Sequence, residues 1–412
     1  MNIKDIIELK SLNKELTNEQ IKFAVDGYCD GSVTDYQMSA LLMAIKINGM
    51  TDSETFALTE AMLKSGEILD LSELGTTVDK HSTGGVSDST TMILAPICAV
   101  AGINMLKLSG RGLGFTGGTI DKLEVFKGFD VSISIEKAKE LVKANGSCVV
   151  AATLNLAPAD KKIYALRDTT STVASIPLIA SSIMSKKLAS GADVIVLDVK
   201  YGDGAFMSTY EDAKLLGETM KRIGEAFGKK VELELDDMNE PLGYNVGNTL
   251  ETYEAIEVLR GKQGKLTDVS FRLASKCISL GQGISFEEAE KKVVAAVESG
   301  EALEKFRQMV IAQGGDTTLF DRFDLVPKLV VRANKSGKVT AFKTRRIGEL
   351  VGLMGATRQK ITDVVDNNVG IKTFHKLNDV VNEGDVILEI FAKSDEQAKQ
   401  FEKELTECII IG

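Results

Sequence analysis

The chain has 412 residues, too many for one simple core and enough for two or three domains. At 44% hydrophobic and 26% charged residues it reads as an ordinary soluble globular protein, and its formal charge of -10 argues against a nucleic-acid partner, which would select a basic face. No apolar run reaches the ~18 residues needed to span a bilayer, so no membrane partner is expected. The N-terminus, Met1-Asn2-Ile3-Lys4-Asp5, has no apolar signal core. Cys29, Cys98, Cys148, Cys277 and Cys408 are odd in number and scattered without a CxxC pair, which indicates neither a disulfide framework nor a zinc site. The expected compartment is the cytoplasm.

Residues 1–66 read as helices. Thr17-x-x-Gln20 and Thr51-x-x-Glu54 are capping boxes placed just before apolar-periodic runs, and Met38, Leu41, Leu42, Ala44 and Ile45 recur at helical spacing. Nothing in this stretch looks catalytic, and its expected role is packing. From residue 75 the pattern turns to strands. The first glycine-rich motif follows, Asp79-Lys80-His81-Ser82-Thr83-Gly84-Gly85, and then a helix over 86–102. A short strand at Met105-Leu106-Lys107-Leu108 feeds the second motif, Ser109-Gly110-Arg111-Gly112-Leu113-Gly114-Phe115-Thr116-Gly117-Gly118-Thr119. A helix over 137–144 and a strand over 148–152 continue the alternation, which predicts an α/β sheet covered on both faces.

Residues 158–191 are helical again, and the apolar run 192–200 returns a strand to the sheet. The turn Gly202-Asp203-Gly204 precedes a helix over 208–227, and helices continue to about residue 314, with Ser285-x-x-Glu288 as a further capping box. The fold class is therefore α/β. A helical domain is expected from two chain segments, 1–66 and 159–191, and a larger α/β domain from 75–158 and 192–329. Such crossings make hinges, and a ligand gripped between the domains would close them. From residue 325 short strands dominate, at 329–333, 339–342, 380–382 and 385–391. They predict a small mixed α+β appendage, 330–412, with no chemical signature of its own.

A glycine-rich turn leading into a helix leaves backbone N–H groups unpaired, with the positive end of the helix dipole behind them. Anions bind there, phosphate most often. Lys80, Ser82, Ser109 and Thr119 add a charge and hydroxyl donors at the edges of the two motifs. On pattern alone the glycines serve either this purpose or tight turns. Of the two histidines, His375 reads as an incidental surface residue, whereas His81 lies inside the first motif. An imidazole there can donate to a carbonyl or shuttle a proton. Ser182 and Lys186 are four apart and share a helix face, with Arg167 on the preceding helix; by themselves they make an ordinary polar face. Asp160, Asp168 and Asp198 read as structural, and no Ser-His-Asp or Cys-His arrangement is evident.

The run Lys80-His81-Ser82-Thr83-Gly84-Gly85, followed by Ser109 to Glu124, closely resembles the thymidine and pyrimidine-nucleoside phosphorylase family, and the resemblance extends over nearly the whole chain. It implies a homodimeric glycosyltransferase, usually paired through its helical domain, with the site in the cleft between helical and α/β domains. The implied reaction is phosphorolysis: nucleoside plus inorganic phosphate, the co-substrate, gives free pyrimidine and pentose 1-phosphate, in nucleoside salvage or catabolism. Residues matching His81, Arg167, Ser182 and Lys186 would hold the pyrimidine, with His81, Arg167 and Lys186 catalytic. Those matching Lys80, Ser82, Thr91, Ser109 and Thr119 would hold phosphate. A structural monovalent or divalent cation near the hinge would use Ser87, Ser89, Leu242, Asn245 and Glu254. The residue types suit the chemistry, because the departing base gains negative charge that fixed cationic donors stabilise. Arg167 offers a planar fork and Lys186 a point charge.

Three positions depart from the family pattern. Phe115 stands where close relatives carry a histidine associated with latching the closed form, and phenylalanine cannot donate. Ser87 replaces a glycine, adding a Cβ where backbone freedom is expected to matter. Asp203 occupies a loop expected to face sugar and phosphate, where a carboxylate would repel an anion. Two rival readings stand beside the phosphorylase: a phosphoribosyltransferase of related fold, and a nucleoside- or phosphate-binding protein without turnover.

Overall fold

Four helices open the chain: α1 (Ile3–Ser11), α2 (Asn18–Asp30), α3 (Asp35–Asn48) and α4 (Asp52–Leu63). The three expected capping boxes close reciprocally, at Thr17–Gln20, Thr51–Glu54 and, further on, Ser285–Glu288. Glu54 does more than cap. Its other oxygen accepts from Leu16 N at 2.9 Å and its carboxylate pairs with buried Lys10 at 2.7 Å, fixing α1 against α4. The computed structural model describes residues 1–412 apart from Leu113, Thr116, Thr153, Leu154, Gln359, Ile361 and Thr362. Leu113 and Thr116 belong to the second glycine motif and so lie outside the described residues.

Strand β1 (Val78–Ser82), helix α5 (Thr90–Val100), strand β2 (Met105–Ser109), helices α6 (Thr119–Leu123) and α7 (Ile135–Asn145), and strand β3 (Ser147–Ala151) follow. Helices α8 (Pro158–Thr169) and α9 (Ile176–Ala189) come next, and α9 packs Ala180, Met184, Leu188 and Ala189 against Ile195, Leu197 and Val199 of the strand that follows. Ile163 and Leu178 on this pair share one core with Ile21, Met38, Leu41, Leu58 and Met62 of the first four helices. Strand β4 (Val194–Tyr201), helix α10 (Tyr210–Ala226) and strand β5 (Lys230–Asp237) return to the sheet, in which β1, β4 and β5 pair parallel in that order. Strands β2 and β3 pair parallel, and a bridge between Thr77 and Asn104 joins them to β1. Residues 230–237 were expected within a helical stretch. Val231, Leu233 and Leu235 alternate with Glu232 and Glu234, and this period of two, not the surrounding helical periodicity, decides the conformation.

Strand β6 (Asn245–Val246) and helices α11 (Asn248–Leu259), α12 (Lys265–Gln282), α13 (Phe286–Glu298) and α14 (Glu301–Ala312) complete this part. The C-terminal part contains β7 (Leu329–Arg332), β8 (Gly337–Phe342), α15 (Thr344–Val351), β9 (Gly370–Thr373), β10 (Val380–Val381), β11 (Val386–Phe391), α16 (Asp395–Thr406) and β12 (Ile409–Ile411). It is not a detached appendage: β6 of the α/β part pairs with β9 and forms the edge of a four-stranded antiparallel sheet, β6-β9-β11-β7. Among the described residues no helix is long and apolar enough to cross a membrane.

Candidate active site

Parallel strands deliver their ligand-binding residues at their carboxyl ends. A cleft of about 740 Å³ opens there, walled on one side by the ends of β1, β2 and α5 and on the other by α8 and α9. Lys80, on β1, forms part of its floor; its Nζ lies 2.9 Å from Asp198 Oδ2 and donates to Thr90 Oγ1 at 2.6 Å. Ser82 donates to Asp88 Oδ2 at 2.6 Å and accepts from Gly84 N at 3.1 Å. Asp88 Oδ1 in turn accepts from Thr90 N at 3.2 Å, which starts α5 at residue 90, not 86, and sets Thr91 on the cleft wall. Burial opposes the charge on Asp88, but Lys80, Lys200 and Lys122 outweigh it and hold this carboxyl well below the usual carboxylate range. Ser109 and Thr119 line the same wall from the two ends of the second glycine motif. The loop between them is pulled tight by Gly112 N donating to Asp121 Oδ2 at 2.6 Å. Only glycine fits at 118, where a Cβ would stand 2.2 Å from Gly112 N.

The opposite wall carries Lys186, whose Nζ donates to Asp160 Oδ2 at 2.5 Å and to Ser182 Oγ at 3.2 Å. His81 lies between the walls with its Nε2 buried and without a hydrogen-bond partner. Burial, with Lys187 and Lys107 nearby, pushes its pKa well below 6.5, so the imidazole is neutral at pH 7. Beneath it Asp79 pairs with both Lys107 and Lys187 at 2.8 Å. Burial pushes the Lys107 ammonium down to about 8, against the pull of Asp79. Five lysines (Lys80, Lys107, Lys161, Lys186, Lys187) and two carboxylates (Asp88, Asp160) line the cleft, and Asp198 and Asp79 behind them pair with Lys80, Lys107 and Lys187.

Three family models match: the glycosyl transferase family helical bundle domain over residues 4–66, its a/b domain over 74–303, and the pyrimidine nucleoside phosphorylase C-terminal domain over 338–412. Pyrimidine-nucleoside phosphorylase from Staphylococcus haemolyticus (strain JCSC1435) is 48% identical, covering 100% of this chain and 96% of that protein. The enzyme of the same name from Staphylococcus epidermidis is 48% identical over 96% of this chain and 93% of its own. The chain belongs to the pyrimidine-nucleoside phosphorylase family. The solved anthranilate phosphoribosyltransferase from Thermus thermophilus has the same fold, with a TM-score of 0.59, but at 18% identity over 75% of this chain and 99% of that one the likeness is of fold alone.

Of the residues the family resemblance singles out, Lys80, His81, Ser82, Thr91, Ser109, Thr119 and Lys186 all face this one cleft, and Ser182 joins them through Lys186. Arg167 stands behind it. Its guanidinium is buried and donates to the backbone carbonyls of Thr172, Val173 and Leu178 at 3.2, 2.7 and 3.0 Å, clamping the α8–α9 connection. Three of an arginine's five donors are used there. Sequence reasoning missed Asp88, Lys107 and Lys187; Asp160, read there as structural, holds Lys186 in place. A lysine inside the apolar strand Met105-Leu106-Lys107-Leu108 was the available signal.

The three departures take definite positions. Ser87 has φ +65°, the left-handed region expected of a glycine, and its Oγ accepts from Gly243 N at 3.0 Å in compensation. Asp203 does not face the cleft; its carboxylate accepts from Arg345 N at 3.0 Å, at the start of α15. Phe115 packs on Phe206 with ring centroids 5.4 Å apart and lies under the Arg345 guanidinium at 4.5 Å. The residues matched to a cation are largely engaged. Glu254 accepts from Tyr244 N, Asn245 N and Lys262 Nζ, and Lys376 Nζ donates to the carbonyls of Pro241 and Gly243, 3.4 Å from that of Leu242. Ser89 Oγ and Asn245 Oδ1 are buried without a partner.

Proposed function

We propose that the cleft carries out phosphorolysis of pyrimidine nucleosides, with phosphate on the Lys80–Ser109 wall and the base on the Lys186 wall. The chain is a glycosyltransferase, with inorganic phosphate as co-substrate. The observation that carries the division of labour is the meeting of two groups in one cavity: the hydroxyls of Ser82, Thr91, Ser109 and Thr119, and an ammonium, Lys186, anchored by a buried carboxylate. A phosphate oxygen held on the first wall attacks the anomeric carbon, the carbon–nitrogen bond breaks, and its electron pair leaves with the base. Lys186 and the neutral His81 imidazole then act on the carbonyls that gain charge. Arg167 keeps α8 and α9 at the spacing that places Lys186.

The helical domain from 1–66 and 159–191, the α/β domain from 75–158 and 192–329 and the C-terminal domain from 330–412 make up this reading's domain division, supported by the core that α8 and the start of α9 share with α1–α4, while the rest of α9 packs on the α/β side. A homodimer is supported by Tyr36, Met43 and Ile47 of α3, which are 74%, 36% and 73% exposed and recur along one helix face. A cytoplasmic setting suits five free cysteines, four of them buried. For a cation, Lys262 and Lys376 leave only the neutral Ser89 Oγ and Asn245 Oδ1 unpartnered, which favours a weakly held monovalent ion over a divalent one.

The two walls are tested separately by steady-state kinetics. Ser109→Ala should raise the phosphate KM with little change in nucleoside KM, and Lys186→Ala should lower kcat. A Ser109→Ala enzyme with an unaltered phosphate KM would remove that wall from phosphate binding.

A further inference from the structure

The second glycine loop is held from outside the α/β part. Gly112 N closes the loop onto Asp121 Oδ2, and Asp121 Oδ1 accepts from Arg358 Nη1 at 2.6 Å. Asp121 is 5% exposed, so its charge needs a fixed partner. Arg111 also reaches Asp121, at 3.3 Å, but is directed chiefly at Glu124. A second contact lies further along the loop. Arg345 covers the Phe115 ring and donates through Nη2 to Ala205 O at 2.8 Å. Helix α15 approaches so closely that a Cβ at Gly348 would stand 2.5 Å from Phe115 O. Both arginines belong to the C-terminal part, whose sequence offered no chemical signature. That part is fastened to the α/β part by the β6–β9 pairing and by Asn248 Nδ2 donating to Ala356 O at 3.1 Å.

We propose that Arg358 and Arg345 are positioning residues for phosphate: the C-terminal domain sets the second glycine loop, and with it Ser109 and Thr119, through Arg358 on Asp121 and Arg345 on Phe115. Neither arginine lines the cleft, so each acts through the loop and not on the substrate. The proposal rests on the reading of the Ser109–Thr119 wall as the phosphate side. A lost charge-assisted bond to a buried carboxylate is large enough to loosen the loop. Because Arg345 is more exposed than Arg358, its contribution is the smaller.

The test is steady-state kinetics of base release with phosphate and nucleoside varied independently, for Arg358→Ala, Arg358→Lys, Arg345→Ala and Ser109→Ala. Arg358→Ala should raise the phosphate KM about tenfold or more while the nucleoside KM stays within about twofold. Arg358→Lys, which keeps a charge for Asp121, should recover most of that affinity, and Arg345→Ala should show the same split at smaller size. Equal rises in both KM values, or no rise in either arginine variant while Ser109→Ala raises the phosphate KM, would overturn the proposal. An unchanged phosphate KM in Ser109→Ala would overturn the wall assignment and the proposal with it.

Discussion

The Lys186 ammonium lies 2.5 Å from Asp160 Oδ2, and Asp160 is only 2% exposed while Lys186 reaches into the cleft. A buried carboxylate thus fixes the direction of a solvent-reaching cation, which is what stabilising a leaving anion requires. Lys186→Ala should lower kcat about 100- to 1000-fold. Asp160→Asn should lower it about 10- to 100-fold, because the ammonium remains but is no longer aimed. Both should leave the phosphate KM nearly unchanged in initial-rate measurements.

Arg167 makes a different prediction from Lys186. Its three carbonyl contacts hold residues 172–178 in place, so Arg167→Ala should reduce stability as well as rate. A loss of about 3 kcal/mol is expected from charged hydrogen bonds of this kind, read as a fall of several degrees in Tm. A variant that loses activity with an unchanged melting curve would make Arg167 a substrate contact and not a clamp.

Much of this was legible in the sequence, and the failures have physical causes. The second glycine motif starts where the largely apolar β2 ends, as its sequence suggests, whereas the first overlaps β1, whose residues Asp79 to Ser82 are themselves strand. Lys186 and Ser182 were placed on one face by their spacing alone. Asp160 reads as structural in the sequence but without its partner, because a lone carboxylate on a polar helix start gives no sign of which cation it will meet. Asp203 was misjudged for a similar reason: its loop was identified, but the direction of its side chain depends on Arg345, 142 residues away. The role of the C-terminal part was invisible because Arg345 and Arg358 gain meaning only from what they touch.

His81 should remain neutral throughout the range in which an ordinary histidine titrates. Burial and the neighbouring lysines depress its pKa, so below 6.5 the unfolded chain takes up a proton that the folded one refuses. Stability should therefore fall as pH drops through 6.5, and His81→Asn should flatten that slope. Because the chain has only two histidines, His375→Gln leaves one imidazole signal to follow by NMR. A titration of that signal near pH 6.5 would contradict the neutral, donating His81.

Ser87 sets two effects of similar size against each other. A side chain at φ +65° costs about 1–2 kcal/mol, and the Oγ bond to Gly243 N returns about 1 kcal/mol. Ser87→Gly should therefore be close to neutral, whereas Ser87→Ala keeps the strain and loses the bond, costing about 1–2 kcal/mol. Denaturant midpoints measured side by side would decide the order, and an alanine variant as stable as the glycine one would remove the compensating bond.

The most direct measurement is a product assay on the purified protein with uridine, thymidine, deoxyuridine, cytidine and a purine nucleoside, each with and without phosphate. The account predicts release of free pyrimidine only when phosphate is present, with one pentose 1-phosphate formed per base. Base release that does not need phosphate, or none from any pyrimidine nucleoside in a well-folded sample, would contradict it.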